Sequence, residues 1–265
     1  MAEPRPLVEL AGVSKIYRSL RGSDYVAVRD FSLAIGKGEF FCLLGTSGCG
    51  KTTVLNMVAG FEPASAGSIR LDGEPVTGPA ADRGVVFQGD DSLYGWLTAL
   101  GNVEFGLRMR GVPRREREEK ARHYLHLVGL DGQDHKHPAE LSGGMKQRIQ
   151  IARVLANGPR MLLMDEPFAA LDAHTRADMQ RELKRICSAT GTTVLFITHD
   201  IDEAIILADR IGVMHAGPAS RLKGSIEVGL SEAERERTHD RFLAVYRQVH
   251  EMIRDEVAIS LRRAH

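Results

Sequence analysis

The stretch EFFCLLGTSGCGKTTVLNMVAGF, residues 39–61, constrains this chain more than any other. Its apolar run FFCLL reads as a strand buried on both faces, and it leads without a linker into glycines and then into a helix that stops at Gly60. Glycines at 45, 48 and 50 let successive backbone N–H groups converge at a helix start, where the helix dipole also favours an anion. The spacing G-x-x-x-x-G-K-[ST] predicts a phosphate loop made by Gly45, Thr46, Ser47, Gly48, Cys49, Gly50, Lys51, Thr52 and Thr53. In such a loop Lys51 reaches the β- and γ-phosphates of a nucleotide, and the Thr52 hydroxyl holds Mg²⁺. A glycine-rich turn with an exposed lysine would use the same letters, but it would not need a buried strand before it and a helix after it.

A nucleotide site of this kind needs a carboxylate at the end of a second buried strand. MLLMDE, residues 161–166, supplies it: Asp165 is expected to orient the metal and Glu166 to polarise an attacking water. Beyond it strand and helix alternate. AHTRADMQRELKRICSATG carries Met179, Leu183 and Ile186 on one helical face, and TTVLFIT and RIGVMHAG read as strands. This alternation predicts an α/β fold with a mostly parallel sheet covered by helices. The first third reads instead as strands with turns: LVELAGVSKIY and VAVRDFSLAI flank a polar loop, and GSIRLDG ends in an Asp72-Gly73 turn. Residues 90–158 read mostly as helices, one of them with Pro113 in its first turn and Gly129 at its stop, another ending at Gly158-Pro159.

With 43% hydrophobic and 26% charged residues the chain can build a large core. Lysine plus arginine equals aspartate plus glutamate at 35 each, which argues against a nucleic-acid binder. Cys42, Cys49 and Cys187 are odd in number and lack metal-ligand spacing, so reduced thiols in a cytoplasmic protein are expected. The start MAEPRPLVEL shows no signal-peptide pattern, and runs such as TVLFIT are too short to cross a bilayer; any membrane role is expected to rely on another, spanning chain. Near the end, Ser231 and Glu234 form a capping box, followed by Phe242, Val245, Val249, Met252 and Ile253 on one face of a helix expected to dock on the core.

LSGGMKQRIQIARVL, residues 141–155, is a second helix start preceded by small residues, an anion receptor with no obvious anion of its own. With VVFQ before it, and MLLMDE, AALD and ITHD after it, the chain resembles the ATP-binding cassette family over residues 7–217. That resemblance implies a P-loop NTPase (RecA-like) core with an antiparallel β subdomain and an inserted α-helical subdomain at about 90–158. It implies an ATP-binding domain over 7–228 and a helical tail over 229–265. It makes Gln88 a catalytic and metal-contacting residue beside Glu166, gives Mg²⁺ the ligands Thr52, Gln88 and Asp165, and makes His199 the switch histidine. Tyr17 in SKIY is the residue implied to stack on adenine, with Tyr25 an open alternative. It further implies that two copies face head to tail, so that Ser142, Gly143, Gly144 and Asp172 of one copy complete the ATP site of the other.

Three classes of protein carry a phosphate loop of this kind. A GTPase or kinase lacks support, since no N-K-x-D is present and LSGG would go unexplained; a soluble cassette ATPase outside transport would more often carry tandem cassettes or long coiled coils. The segment GPAADRGVVFQGDDSLYGWLTALGNVEFGLRMRGV is similar to the nitrate, sulfonate and taurine importers, with Trp96, Asn102, Val103, Phe105 and Gly106 matching and Gly95 standing where a proline is usual. The regulatory barrel of sugar and polyamine importers is not expected. The expectation is thus an ATP-hydrolysing subunit, peripheral on the cytoplasmic face, working with permease subunits and indirectly with a periplasmic or surface solute-binding protein. Leu93, Tyr94, Trp96 and Leu97 either receive a permease helix or pack the helical subdomain. Met145 stands where the signature usually has glutamine. Because serine and glycine make the phosphate contacts, Met145→Gln is expected to leave turnover within the same range; a gain of several orders of magnitude would show the native motif to be crippled.

Overall fold

The computed structural model describes residues 5–19, 22–87, 92–169 and 171–263, in two compact units. Gln88 lies outside the described residues. The first unit contains the segments up to Ala80 and from Thr193 onward. Its antiparallel sheet, in the order β2-β1-β4-β5, comprises β1 (Val8–Tyr17), β2 (Tyr25–Ile35), β4 (Ala66–Leu71) and β5 (Glu74–Pro75). Val8 pairs with Ile35 and Tyr17 with Tyr25, and period-two alternation buries Val8 and Leu10 on one face. The turn between β4 and β5 has Asp72 and Gly73 both at positive φ, 52° and 83°, which suits a two-residue hairpin.

The same unit holds the strand order β10-β9-β3-β8, made of β3 (Phe40–Leu44), β8 (Thr193–Thr198), β9 (Arg210–Met214) and β10 (Leu222–Glu227). β3 runs parallel to both β8 and β9, and only β10 is antiparallel. Every residue of β3 and β8 is buried, the pattern of strands covered on both faces. Helix α1 (Lys51–Ala59) ends at Gly60, where φ is 78° and a β-carbon would lie 2.2 Å from the Gly78 carbonyl oxygen. Helix α6 (Ile201–Leu207) and strand β10 carry no clear periodic signal and were not expected from sequence.

The tail corrects one expectation. Ser231 and Glu234 do form a capping box, but it closes a single 3₁₀ turn, Glu232–Arg235, and the long helix α7 starts separately at Asp240, running to Arg263. Arg235 in that turn donates to the carbonyls of Ile206 at 3.0 Å and Ala208 at 2.9 Å, answering the open end of α6. The expected apolar stripe is real: Phe242, Val245, Val249 and Ile253 are buried, and Met252 is half-buried.

The second unit is residues 81–192. β6 (Arg83–Val86) pairs in parallel with β7 (Met161–Asp165), Arg83 opposite Met161. Among the described residues four α-helices accompany them: α2 (Ala99–Met109), α3 (Arg114–Leu127), α4 (Gly143–Ala156) and α5 (Ala173–Thr190). Pro113 sits one position outside α3 as its cap, with ψ at 145°, and Gly129 ends the turn at φ 68°. Met179, Leu183 and Ile186 are buried on α5 as expected. Two residues matched by the importer resemblance have packing roles. Buried Asn102 accepts from Tyr94 N at 2.8 Å and donates to the Tyr94, Leu97 and Thr98 carbonyls, and a β-carbon on Gly106 would lie 2.2 Å from Asn157 Oδ1, so α2 and α4 touch there.

The capping box makes a sharp prediction. Hydrogen bonds from the Ser231 N–H and hydroxyl, joined by Arg241, lower the Glu234 carboxyl from an ordinary 4.5 to about 2. A depressed carboxyl contributes stability that is fully present above its unfolded value and is lost as pH falls through the folded one, here from about 4.5 toward about 2. NMR titration of Glu234 is expected to show its midpoint near the lower value; an ordinary midpoint would mean the box does not form in solution.

Candidate active site

The phosphate loop is the link between β3 and α1. Left-handed φ values at Gly48 and Gly50, 75° and 100°, turn the chain back on itself. Gly50 is also pressed against β2: a β-carbon there would lie 3.0 Å from Val28 Cγ2 and 3.2 Å from the Ala27 carbonyl oxygen. Lys51 is buried, 6% exposed, and its Nζ donates to the carbonyls of Gly45 at 2.8 Å and Thr46 at 3.1 Å, so the ammonium is drawn over the loop.

Two observations leave donors of this loop unanswered among the described residues. Gly50 provides no side-chain cap, so no capping side chain answers the first N–H groups of α1. Thr46 Oγ1 is buried with no hydrogen-bond partner among the described residues, an arrangement that costs ~1–3 kcal/mol unless a ligand answers it. Thr52, the proposed metal hydroxyl, is exposed.

Tyr17 and Tyr25, the two adenine candidates, are register partners whose rings stack with centroids 6.5 Å apart. Burial raises the Tyr17 phenol, and its hydroxyl accepts from Thr53 and donates to Glu62. Glu62 is in turn paired with Lys15 at 2.8 Å, and the Lys15 bond holds its carboxyl below the ordinary range. Tyr17 is therefore tied to a phosphate-loop residue. Lys15 and Glu62 carried no sequence signal, because their role depends on a pairing across 47 residues. His199 follows β8, exposed, and the turn around it is set by Asp200, whose N–H donates to Thr198 Oγ1 at 3.0 Å and whose carboxylate accepts from Glu203 N at 3.2 Å.

In the second unit Asp165 ends β7, and Glu166 follows with φ at 44°. Pro167 comes next, and a residue before proline prefers extended backbone, so this carboxylate is held in a conformation that costs ~1–3 kcal/mol. Strain of this kind gathers where a side chain must be aimed. Asp172 caps α5, accepting from His174 N and Thr175 N, both at 3.1 Å; the Thr175 side chain, then the backbone donors, lower its carboxyl. Ser142 caps α4 through Met145 N at 3.3 Å. The two signature glycines differ. A β-carbon on Gly144 would lie 2.7 Å from Thr175 Cγ2, so packing of α4 on α5 requires it, whereas one on Gly143 would meet nothing within 4 Å. The fold gives no reason for glycine at 143.

Replacing Glu166 separates the strain from the carboxylate. Glu166→Gly is expected to be more stable than Glu166→Ala by about 1 kcal/mol, since both delete the side chain and only glycine escapes the left-handed penalty. Thermal unfolding of the pair checks this; alanine equal to or above glycine would show the backbone to be relaxed.

Comparison with known proteins agrees with this geometry. A family profile described as ABC transporter matches residues 28–169. An uncharacterized ABC transporter ATP-binding protein of Methanocaldococcus jannaschii is 44% identical over 255 residues, 96% of this chain and 94% of that protein. A taurine import ATP-binding protein of Pseudomonas putida is 50% identical over 212 residues, 80% of this chain and 79% of that protein. A bicarbonate transport ATP-binding protein of Synechococcus elongatus is 44% identical over 84% of this chain, which spans 34% of that longer protein. Among solved structures, a dimeric post-hydrolysis state of an ATP-binding cassette bound to ADP and Pi is similar with a TM-score of 0.71 at 31% identity, over 84% of this chain and all of that one. The cbiO1 component of a Clostridium perfringens ABC transporter complex has a TM-score of 0.77 at 25% identity, over 93% and 99% of the two chains. On this match, in the order and setting its motifs require, the chain belongs to the ABC transporter family as one of its ATP-binding cassettes.

Proposed function

We propose that the chain is the ATPase subunit of an importer for a small anion, peripheral on the cytoplasmic face of the membrane and coupled to separate permease subunits. The observation that carries the reading is the pair of helix starts suited to anions: α1, with its uncapped first turn, and α4, where Gly143 has no packing reason to be glycine. In this reading Lys51 and the loop N–H groups hold the β- and γ-phosphates, and Tyr17 stacks on adenine. Thr52, Gln88 and Asp165 offer hard oxygen donors that suit Mg²⁺. The metal neutralises charge on the phosphates when bound. Glu166 takes the proton from the attacking water while His199 orients the γ-phosphate.

The α4 start serves a second copy. Ser142, Gly143, Gly144 and Asp172 of one chain close over ATP held by Lys51 of the other, so nucleotide favours the closed dimer because that state binds it better. A dimeric cassette with hydrolysis products is among the similar structures, which supports the arrangement. Among the described residues no helix is long and apolar enough to cross a membrane.

The Leu93–Leu97 cluster divides between its two readings. Leu93 is buried and Tyr94 packs on Phe105 at 4.6 Å, while Trp96 is 73% exposed; Trp96 is the side chain proposed to meet a permease helix. The sequence resemblance points to taurine, another sulfonate or nitrate as solute; one relative is named for taurine import, and another, named for bicarbonate transport, adds bicarbonate to the class. A solute-binding protein would do the selecting. A soluble ATPase outside transport finds no support among the relatives, which are named for transport.

Glu166→Gln tests the mechanism. It is expected to bind ATP, to sediment as a dimer only with ATP, and to stall hydrolysis; turnover at the wild-type rate would remove Glu166 from the chemistry. Uptake of labelled taurine, an alkanesulfonate, nitrate and bicarbonate by a deletion strain tests the import assignment, and unchanged uptake of all four contradicts the proposed solute class.

A further inference from the structure

Helix α7 carries a buried carboxylate that the nucleotide reading leaves unused. Glu256 is 3% exposed. Its Oε1 accepts from Lys223 Nζ at 2.7 Å and lies 3.1 Å from His215 Nδ1, and its Oε2 accepts from the Ala216 N–H at 2.8 Å. Lys223 Nζ also donates to the Met252 carbonyl at 2.8 Å. Burial pushes the Glu256 carboxyl up, and the bonds from Lys223 and Ala216 more than reverse this.

Anchoring α7 does not require this group. The stripe of Phe242, Val245, Val249 and Ile253 already supplies an apolar contact, and an apolar residue of similar volume often stabilises as well as a buried ion pair. What the carboxylate adds is direction, because two of its partners, His215 and Ala216, begin the turn that follows β9.

That turn is fixed at its other end too. Ala219 N donates to the Val26 carbonyl at 2.7 Å, Arg29 N to the Ser220 carbonyl at 2.9 Å, and Ser220 Oγ to the His215 carbonyl at 2.6 Å. Between these ties lies Gly217. A β-carbon there would lie 2.8 Å from the Gly48 carbonyl oxygen and 3.3 Å from Cys49 Cα. The turn thus rests backbone against backbone on the phosphate loop, one residue away from the N–H that Glu256 holds.

We propose that Glu256 is a positioning residue for the phosphate loop, fixing the turn on which Gly48 and Cys49 rest, so that the C-terminal helix sets the affinity for nucleotide phosphates. The inference rests on the proposed nucleotide site and adds to it a control from outside the family motifs. A displaced turn frees Gly48 and Cys49 to drift, and donors that must be re-ordered on binding lower affinity. The effect belongs to the β- and γ-phosphates, since adenine is held elsewhere by Tyr17.

The test compares ATP, ADP and AMP binding, steady-state kinetics and thermal unfolding for wild type, Glu256→Leu, Glu256→Gln and Gly217→Ala. Glu256→Leu is expected to weaken ATP and ADP about tenfold, to leave AMP unchanged, and to raise KM more than it lowers kcat. Glu256→Gln, which keeps an acceptor for Ala216, recovers most of the loss. Gly217→Ala leaves α7 intact, presses on Gly48 directly, and gives the same phosphate-selective loss. Unchanged ATP affinity in Gly217→Ala overturns the proposal even where Glu256→Leu fails to fold. A lower melting temperature with unchanged affinities in Glu256→Leu overturns it as well, leaving a structural anchor. Wild-type protein that binds no ATP would overturn the nucleotide reading itself.

Discussion

Backbone packed against backbone holds the phosphate loop in shape. At Gly50 the loop comes close to the Ala27 carbonyl and the Val28 side chain, and at Gly48 and Cys49 it meets Gly217, where a β-carbon would lie 2.8 Å from the Gly48 carbonyl oxygen and finds no room. Those approaches fix where the N–H groups point before any anion arrives. Donors oriented in advance need no reordering on binding, which is why such a loop can hold phosphate firmly with few side chains. Lys51, buried over the loop carbonyls, brings a full positive charge to the cradle.

The rest of the proposed chemistry builds on that rigidity. A fixed γ-phosphate position gives meaning to a strained Glu166, whose left-handed backbone is maintained against a conformational cost. It also gives meaning to α4, a second helix start where one glycine answers to packing and the other does not. In the proposed dimer the free energy of nucleotide binding is divided between the loop of one copy and the signature of its partner, so loss of the γ-phosphate weakens the association.

The sequence was most legible where the signal was local. β3, the loop and α1 were readable because apolar continuity, glycine spacing and a terminal Gly60 all lie within 23 residues. The amphipathic α5 and the apolar face of α7 were readable from period alone. β6, β10 and α6 were not, being four to seven residues long with no full period to detect. The Ser231–Glu234 box announced a helix start without specifying its length, and only a 3₁₀ turn follows. Asn102 and Gly106, read as marks of an importer branch, also pin a loop and admit a close helix contact. Glu166's backbone and Glu256's partners were out of reach, since one is a property of φ and the other joins positions 40 residues apart.

Complementation between two inactive variants tests the shared site most directly. Lys51→Ala removes the phosphate contact and leaves the signature intact; Ser142→Arg blocks the signature and leaves the loop intact. If the half-sites belong to different copies, mixing the two proteins restores ATP hydrolysis that neither shows alone, because one of the two interfaces in the mixed dimer is whole. If each chain serves its own nucleotide, the mixture stays as inactive as its components, and the account fails.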